Sequence, residues 1–169
     1  DKCFKIFFKI NFNLNLIFNF IFDDMFLTPE QKQARADAAQ AVITQSETFL
    51  RENAQQEGVQ ITASGLQYRI AEAGTGEKPG LKDRVVVNYI GKLVDGTVFD
   101  SSYARGEPLS IPVNRVIPGW TEALQMMRVG AKWELFIPSS LGYGIEGAGD
   151  LIPPHAAMIF DVELVSIEK

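Results

Sequence analysis

Short runs of alternating apolar and polar residues, separated by glycine and proline, limit the fold of residues 65–169 more than any other feature of the chain. Such alternation is typical of β-strands with one buried face. Asp95-Gly96 follows the run 85–94 and is a strong signal for a hairpin turn. The pattern predicts strands at 65–73, 85–94, 97–100, 109–113, 131–137 and 157–167.

A short helix and a long loop interrupt these strands. The helix is predicted at 119–127, beginning near Trp120-Thr121 and ending before Gly130. Several antiparallel strands with one short helix over a sheet face indicate an α+β domain. The loop, 139–155, contains several glycines and the pair Pro153-Pro154. Because loops of this length in compact domains are usually functional, we expect this loop to contribute to a site.

A long helix is predicted at 28–57, in front of the strand-rich region. Thr28 suits the N-cap, Pro29 the first helical position, and Gln31 completes a capping box. Gly58 stands where a helix-terminating glycine is common. About 29 residues would extend roughly 44 Å, with only a thin apolar stripe. The helix either lies on its own domain or projects as an arm that pairs with another chain. Its length favours the arm.

Residues 1–27 form an atypical extension rich in phenylalanine and asparagine. Eight of the twelve phenylalanines lie within it, and lysines precede its most apolar part. Asparagine interrupts the apolar run, and no small-residue cleavage site precedes Asp23-Asp24, so a signal peptide fits poorly. Three interpretations stay open: a non-native extension, which we favour, a signal or anchor remnant, and a structural strand.

Charge and composition exclude several classes of function. The net charge of −5 argues against nucleic-acid binding, because no basic stripe is available to neutralise phosphates. A single cysteine, Cys3, excludes a disulfide framework and cysteine-rich zinc sites. A single histidine, His155, excludes histidine-pair metal motifs and is expected to be a structural hydrogen-bonding residue. Acidic residues do not cluster at ligand spacing, so no metal site is predicted.

Five aromatic residues are the candidates for a binding site. Each lies on a different predicted element, and the long loop supplies one of them. They are Tyr89, Phe99, Trp120, Tyr143 and Phe160. One interpretation is ordinary core packing. The other is an aromatic cup for an apolar ligand, with a tyrosine hydroxyl at its rim.

Four runs resemble, in order, the FKBP-type peptidyl-prolyl cis-trans isomerase family. They are 85–102 (VVVNYIGKLVDGTVFDSS), 116–120 (VIPGW), 141–144 (LGYG) and 152–163 (IPPHAAMIFDVE). For residues 65–169 the resemblance implies an antiparallel half-barrel sheet wrapped on a short helix. It also implies catalysis of X-Pro bond rotation in proline-containing polypeptides, without a cofactor.

The alanine-rich helix and residues 65–68 further resemble the bacterial, macrophage infectivity potentiator-like branch of that family. In that branch a long helix joins the catalytic domain to an amino-terminal dimerisation domain. The resemblance therefore implies a homodimer through the N-terminal helix, and binding of macrolide inhibitors. Residues 1–26 do not resemble that amino-terminal domain. The branch leaves both the bacterial cell envelope and the cytoplasm open as locations.

The resemblance implies a catalytic set at the aromatic site: Tyr89, Phe99, Asp100, Tyr143 and Phe160. Tyr143 matches the hydroxyl donor, and Asp100 matches the carboxylate near the carbonyl of the bound proline. The other three rings match the walls of the pocket.

The substrate-binding residues that the resemblance implies are Arg105, Leu109, Val116, Ile117, Trp120, Leu151 and Ile152. Trp120 matches the pocket floor, Arg105 the basic partner of the carboxylate, and the Ile117 amide a contact to a ligand carbonyl. Leu109 replaces an aromatic residue of many members, which loosens that wall. Two other functions stay open: a chaperone or client-binding module with little turnover, and an anchoring protein that uses residues 1–26.

Overall fold

The computed structural model describes residues 24–168, so the predictions made for residues 1–23 lie outside the described residues. Two helices of more than one turn and seven strands account for most of the regular structure. In chain order the elements are α1 (Pro29–Asn53), β1 (Val59–Ile61), β2 (Gln67–Glu72), β3 (Arg84–Leu93), β4 (Val98–Ser101), α2 (Ser102–Arg105), β5 (Leu109–Pro112), α3 (Pro118–Met126), β6 (Lys132–Ile137) and β7 (Met158–Glu168). Single 3₁₀ turns occur at Val113–Arg115 and Ser139–Leu141.

All seven strands belong to one antiparallel sheet. The strand order is β1-β2-β6-β7-β3-β4, and β5 pairs with the opposite end of β3 from β4. The prediction of an α+β domain, with an antiparallel sheet and a short helix, is confirmed. Each predicted strand is present within a few residues of its predicted limits, and Gly96 forms the predicted hairpin turn at φ +90°. The short elements β1 and α2 were not predicted.

The core lies between one face of the sheet and α3. Alternation along β3 buries Val85, Val87 and Tyr89, while α3 buries Trp120 and Leu124. Each such side chain contributes about 1.5–3 kcal/mol when it is fully removed from water. Because β3 and α3 carry these buried residues, the packing that stabilises the domain also fixes the aromatic side chains of the site.

Helix α1 begins as predicted but ends four residues earlier. Thr28 and Gln31 form the capping box, with the Gln31 N–H donating to Thr28 Oγ1 over 3.2 Å. The predicted end at Gly58 is wrong, because the helix ends at Asn53. There the Asn53 amide donates to Gln67 Oε1 over 2.8 Å, and the Gln67 amide donates to the Leu50 carbonyl over 2.9 Å. The Leu50 carbonyl also accepts the Ala54 N–H at 3.0 Å, so Gln67 adds a second bond that joins the last turn of α1 to the sheet.

The two halves of α1 have different surroundings. In the second half, Val42 packs against the core and the Phe49 ring lies 6.1 Å from that of Phe136. Ser46 is buried, and its Oγ accepts a hydrogen bond of 2.9 Å from the Ala157 N–H. Residues 31–38 are exposed along their whole length. The second half of α1 therefore lies on its own domain, the first half is exposed, and pairing of the helix with another chain stays a prediction.

Among residues 24–168, no helix combines the length and apolar character needed to cross a membrane.

Candidate functional site

Four aromatic rings from four elements meet edge to face in the core between the sheet and α3. The centroid of Trp120 lies 5.2 Å from that of Tyr89 and 5.3 Å from that of Phe160, at interplanar angles of 87° and 84°. Phe99 meets Phe160 at 5.5 Å and 86°. This geometry places the positive edge of one ring against the negative face of the next. The structure thus brings together the predicted floor and all three predicted aromatic walls.

Gly91 makes this arrangement possible, and the sequence pattern did not predict its role. A Cβ at Gly91 would lie 2.7 Å from both Phe99 Cζ and Phe160 Cε1, too close for either ring to stay in place. The signal was present, because a lone glycine inside a strand pattern often marks a close approach of other groups to the backbone. We therefore add Gly91 to the residues that shape the site.

A buried ionic triad borders the aromatic cluster. The Asp100 side chain is 1% exposed and accepts hydrogen bonds from the Tyr89 hydroxyl and from the Arg105 guanidinium. Arg105 also donates to the Tyr89 oxygen over 2.8 Å and lies 5.5 Å from the centre of the Tyr89 ring. The carboxylate is therefore held by two donors, and the predicted pairing of Asp100 with Arg105 is present in the structure.

The triad shifts the ionisation of its members. Burial, followed by the hydrogen bond to Asp100, raises the pKa of Tyr89 well above its usual value. Partial burial lowers the pKa of Arg105, but its bonds to Tyr89 and Asp100 outweigh this and hold the pKa above its usual value. At neutral pH the site therefore holds a protonated phenol and a charged guanidinium.

Ser102 fixes Arg105 relative to the sheet and was also missed. It is fully buried, and its hydroxyl accepts a 2.9 Å hydrogen bond from the Tyr89 N–H. The same hydroxyl donates to Asn88 Oδ1 over 3.2 Å. Because Ser102 begins α2 and Arg105 ends it, these bonds tie the arginine to β3. The sequence carried only a weak signal, a serine pair after Asp100.

Tyr143 lies in the long loop, half-buried and packed against the core. Burial and the negative charge of Asp100 raise the pKa of its hydroxyl, so the group stays protonated and can donate a hydrogen bond at neutral pH. In the same loop Ile152 is buried in the core, whereas Leu151 is 45% exposed. The structure therefore brings Ile152 into the core around the site and leaves Leu151 on the surface.

The remaining predicted residues lie at the edge of the core. Val116 and Ile117 are buried immediately before α3, and the Ile117 carbonyl accepts the N–H groups of Trp120 and Thr121 at 3.0 and 3.1 Å. Leu109 is half-buried on β5, opposite Val87. Within residues 24–168, no group of three or more histidine, cysteine or acidic side chains is placed to hold a metal ion.

Comparison with known proteins agrees with this geometry. The profile of the FKBP-type peptidyl-prolyl cis-trans isomerase domain matches residues 75–165. The profile of the domain amino-terminal to that isomerase matches residues 18–70. The expectation that residues 1–26 bear no resemblance to such a domain is therefore wrong for residues 18–26.

Curated relatives and a solved structure show the same similarity. An FKBP-type 22 kDa peptidyl-prolyl cis-trans isomerase of Escherichia coli is 56% identical over 138 residues, which cover 79% of this chain and 67% of the relative. The isomerase Mip of Coxiella burnetii is 50% identical over 124 residues, which cover 73% of this chain and 54% of the relative. The crystal structure of FkpA from Escherichia coli matches with a TM-score of 0.77 at 34% identity, covering 94% of this chain and 84% of that one.

The match spans between about half and two-thirds of the length of these curated relatives. The catalytic-domain profile covers more than half of the present chain, including every aromatic residue of the site. The chain therefore belongs to the FKBP-type peptidyl-prolyl cis-trans isomerase family, in the branch that includes the macrophage infectivity potentiators.

Proposed function

We propose that this protein accelerates rotation about X-Pro bonds in polypeptides by binding the twisted bond more tightly than either planar isomer. The family to which it belongs acts on proline-containing polypeptides. The observation that carries the proposal is the interlocked set of four rings with the buried Asp100 triad at its border. An apolar surface of this kind suits a prolyl ring, and the polar border suits the adjoining carbonyl groups.

The reaction needs no covalent step. Amide resonance opposes rotation by about 18–20 kcal/mol, and an unaided X-Pro bond isomerises in tens to hundreds of seconds. Twisting the bond removes resonance and makes the nitrogen pyramidal, which reduces the polarity of the amide. Such a species is less dependent on water at its carbonyl oxygen than the planar amide. An apolar site therefore stabilises it selectively, and each 1.4 kcal/mol or so of selectivity gives about tenfold in rate.

Each residue has a distinct part in this proposal. Trp120 lies under the prolyl ring, with the rings of Tyr89, Phe99 and Phe160 around it. The protonated Tyr143 hydroxyl donates a hydrogen bond to a substrate carbonyl. Ile117 offers its backbone amide, and Val116, Leu109, Ile152 and Leu151 provide apolar contacts to neighbouring residues.

In this proposal Asp100 acts electrostatically, through the negative charge of its carboxylate. Its carboxylate accepts two hydrogen bonds already, from Tyr89 and Arg105. Those donors hold its negative charge in place beside the ring cluster, where it faces the positive end of the carbonyl dipole of the twisted bond. The positive charge of Arg105 offsets the desolvation cost of burying the Asp100 carboxylate.

The decisive test is the cis-to-trans rate of a short peptide with a Leu-Pro bond, measured with the full chain. We expect catalysis that a macrolide inhibitor of the family abolishes, and a loss of at least about tenfold in kcat/KM for Phe160→Ala. Val165→Ala, on an exposed position of the same strand, is the matched control. A folded wild-type protein without catalysis would exclude the proposal.

A second candidate function is chaperone-like binding of unfolded clients with little turnover. A groove of about 730 Å³ lies between α1 and the β3–β4 turn, and Ala41, Phe49 and Val94 are among the residues that line it. This groove could hold an apolar client segment away from the ring cluster. Under this alternative, Asp100→Val abolishes catalysis while suppression of client aggregation survives. Loss of both properties together would contradict it.

Three further properties belong to the same proposal. The ring cluster binds macrolide inhibitors, since these compete with proline substrates in the family. The exposed first half of α1 forms a homodimer. Measurement of the molar mass by light scattering tests this, and a monomer at all accessible concentrations would contradict it. The net charge of −5 disfavours nucleic acid as a partner.

A further inference from the structure

The loop that carries Tyr143 is closed at its base by backbone hydrogen bonds. The Gly144 carbonyl accepts a 2.9 Å bond from the His155 N–H, which joins the two ends of the intervening segment. The N–H groups of Gly142 and Gly144, on either side of Tyr143, both donate to the Ser139 carbonyl, at 3.0 and 2.9 Å. The backbone of Tyr143 is therefore held from both sides, and His155 supplies one of the restraints.

His155 makes its contact from a backbone conformation that side chains rarely adopt. Its φ is +65°, and it is the one non-glycine residue with positive φ among residues 24–168. The Ala156 N–H donates to the Pro153 carbonyl over 3.3 Å, so residues 153–156 form a turn with Pro154 second and His155 third. A positive φ at the third residue of a turn whose second residue is proline is typical of a type II turn, which favours glycine or asparagine at the third residue.

The middle of the loop is equally constrained. Ala148 and Ile152 form an antiparallel bridge, and their N–H groups each donate to the other's carbonyl, at 2.8 and 3.2 Å. A Cβ on Gly147 would overlap the Ile152 carbonyl oxygen and the following proline backbone. The loop is thus packed against itself. A change in the backbone of the His155 turn therefore cannot be accommodated by small shifts within the loop.

We infer that His155 is a positioning residue for Tyr143, and this rests on the function proposed above. Its left-handed turn aims its own N–H at Gly144 and thereby holds Tyr143 against the core that contains the ring cluster. Strained backbone retained at a site is commonly part of how the site is preorganised. The role is carried by the backbone conformation, so residues that tolerate positive φ should preserve it and β-branched residues should not.

The experiment compares His155→Val with His155→Gly and His155→Asn in the full chain. We expect His155→Val to lower kcat/KM for the Leu-Pro peptide by about tenfold to a hundredfold, because displacement of a catalytic group by about 1 Å can cost about a hundredfold. Glycine and asparagine should retain most of the activity. If His155→Val does not fold, His155→Ala takes its place, since alanine also disfavours positive φ.

A double-mutant cycle separates positioning from general destabilisation. In the Tyr143→Phe background, where the hydroxyl is already gone, His155→Val should change kcat/KM by less than about twofold. Gly65→Val is the matched control, because Gly65 has φ +93° with open space around its Cβ, far along the chain from the loop. It introduces the same backbone strain and should leave kcat/KM unchanged.

One readout does not depend on turnover. The ring resonance of Tyr143 in a tyrosine-labelled NMR sample, identified by its loss in Tyr143→Phe, should shift in His155→Val and stay in place in Gly65→Val. Equal losses of kcat/KM in both Tyr143 backgrounds, or an unmoved resonance, would overturn the inference. Absence of catalysis in the wild type would instead remove the proposed function, and the resonance would still decide the role of His155.

Discussion

Replacing Arg105 by methionine should destabilise the protein far more than loss of an ordinary surface ion pair. The Asp100 side chain is 1% exposed, and Arg105 is its cationic partner. Arg105→Met keeps the aliphatic stem but leaves a buried carboxylate held by Tyr89 alone. Breaking a buried pair costs about 3–5 kcal/mol. Because the Arg105 side chain is 29% exposed and water can reach its place, we expect about 2–4 kcal/mol here.

The measurement is the free energy of unfolding in urea, followed by tryptophan fluorescence. Arg69→Met is the matched control, because Arg69 pairs with Glu134 and the two side chains are 45% and 26% exposed. Loss of such an exposed pair should cost no more than about 1 kcal/mol. Adding Asp100→Asn to Arg105→Met should recover part of the loss, because a neutral amide needs no cation beside it.

Arg105→Met should also lower kcat/KM, because the position of the Asp100 carboxylate beside the rings depends on both of its donors, Tyr89 and Arg105. Arg69→Met should leave kcat/KM unchanged. The expectation is contradicted if the unfolding free energies of the two arginine variants lie within about 0.5 kcal/mol of each other. It also fails if Asp100→Asn makes the Arg105 variant less stable, since the carboxylate would then not be an uncompensated charge.

Three further outcomes are expected. Gly91→Ala should lower the free energy of unfolding by about 1–3 kcal/mol and reduce kcat/KM, because the new Cβ displaces the two phenylalanine rings. Gly80→Ala is the control for loss of a glycine, because a Cβ at Gly80 makes only ordinary contacts. Ser46→Ala should cost about 1–3 kcal/mol in urea unfolding, because it leaves the Ala157 N–H buried without its acceptor. The pKa of Tyr143 is higher in the folded protein than in the unfolded chain, where it is about 10. The contribution of the protonated hydroxyl to folding stability is therefore complete below pH 10 and is lost as the pH rises above 10. Unfolding free energy should therefore fall less steeply above pH 10 in Tyr143→Phe than in the wild type.

The strands and the ring cluster were predictable because they depend on periodic burial. Alternation placed β3 within one residue of its observed limits, and Asp95-Gly96 gave the hairpin turn. The end of α1 was not predictable in the same way. Asn53, the last helical residue, is buried and hydrogen-bonded to Gln67 of β2, a strand that the helix itself does not contain. Local signals such as Gly58 cannot reveal a contact made with a distant part of the chain.

The short elements escaped prediction for a related reason. Strand β1 has three residues and exists by pairing with β2, and α2 has four residues and is held by Ser102. Neither is long enough to show a period. Only the pairing of Asp100 with Arg105 was anticipated, through family resemblance, since spacing alone does not show that both contact the hydroxyl of Tyr89.

The thin apolar stripe of α1 shows how such a helix is bound without a large hydrophobic face. A projecting arm was favoured because of the length of the helix, and the narrow stripe gave little sign of what would bury it. In the structure the contact is partly polar: Ser46 and Asn53 are buried, and each is satisfied by a group of the catalytic domain. A buried hydrogen bond with defined direction fixes rotation and register, whereas a wider apolar stripe would fix only proximity. Because Ala157 lies between the loop of Tyr143 and the strand of Phe160, this anchor links the helix to the backbone that carries two residues of the site.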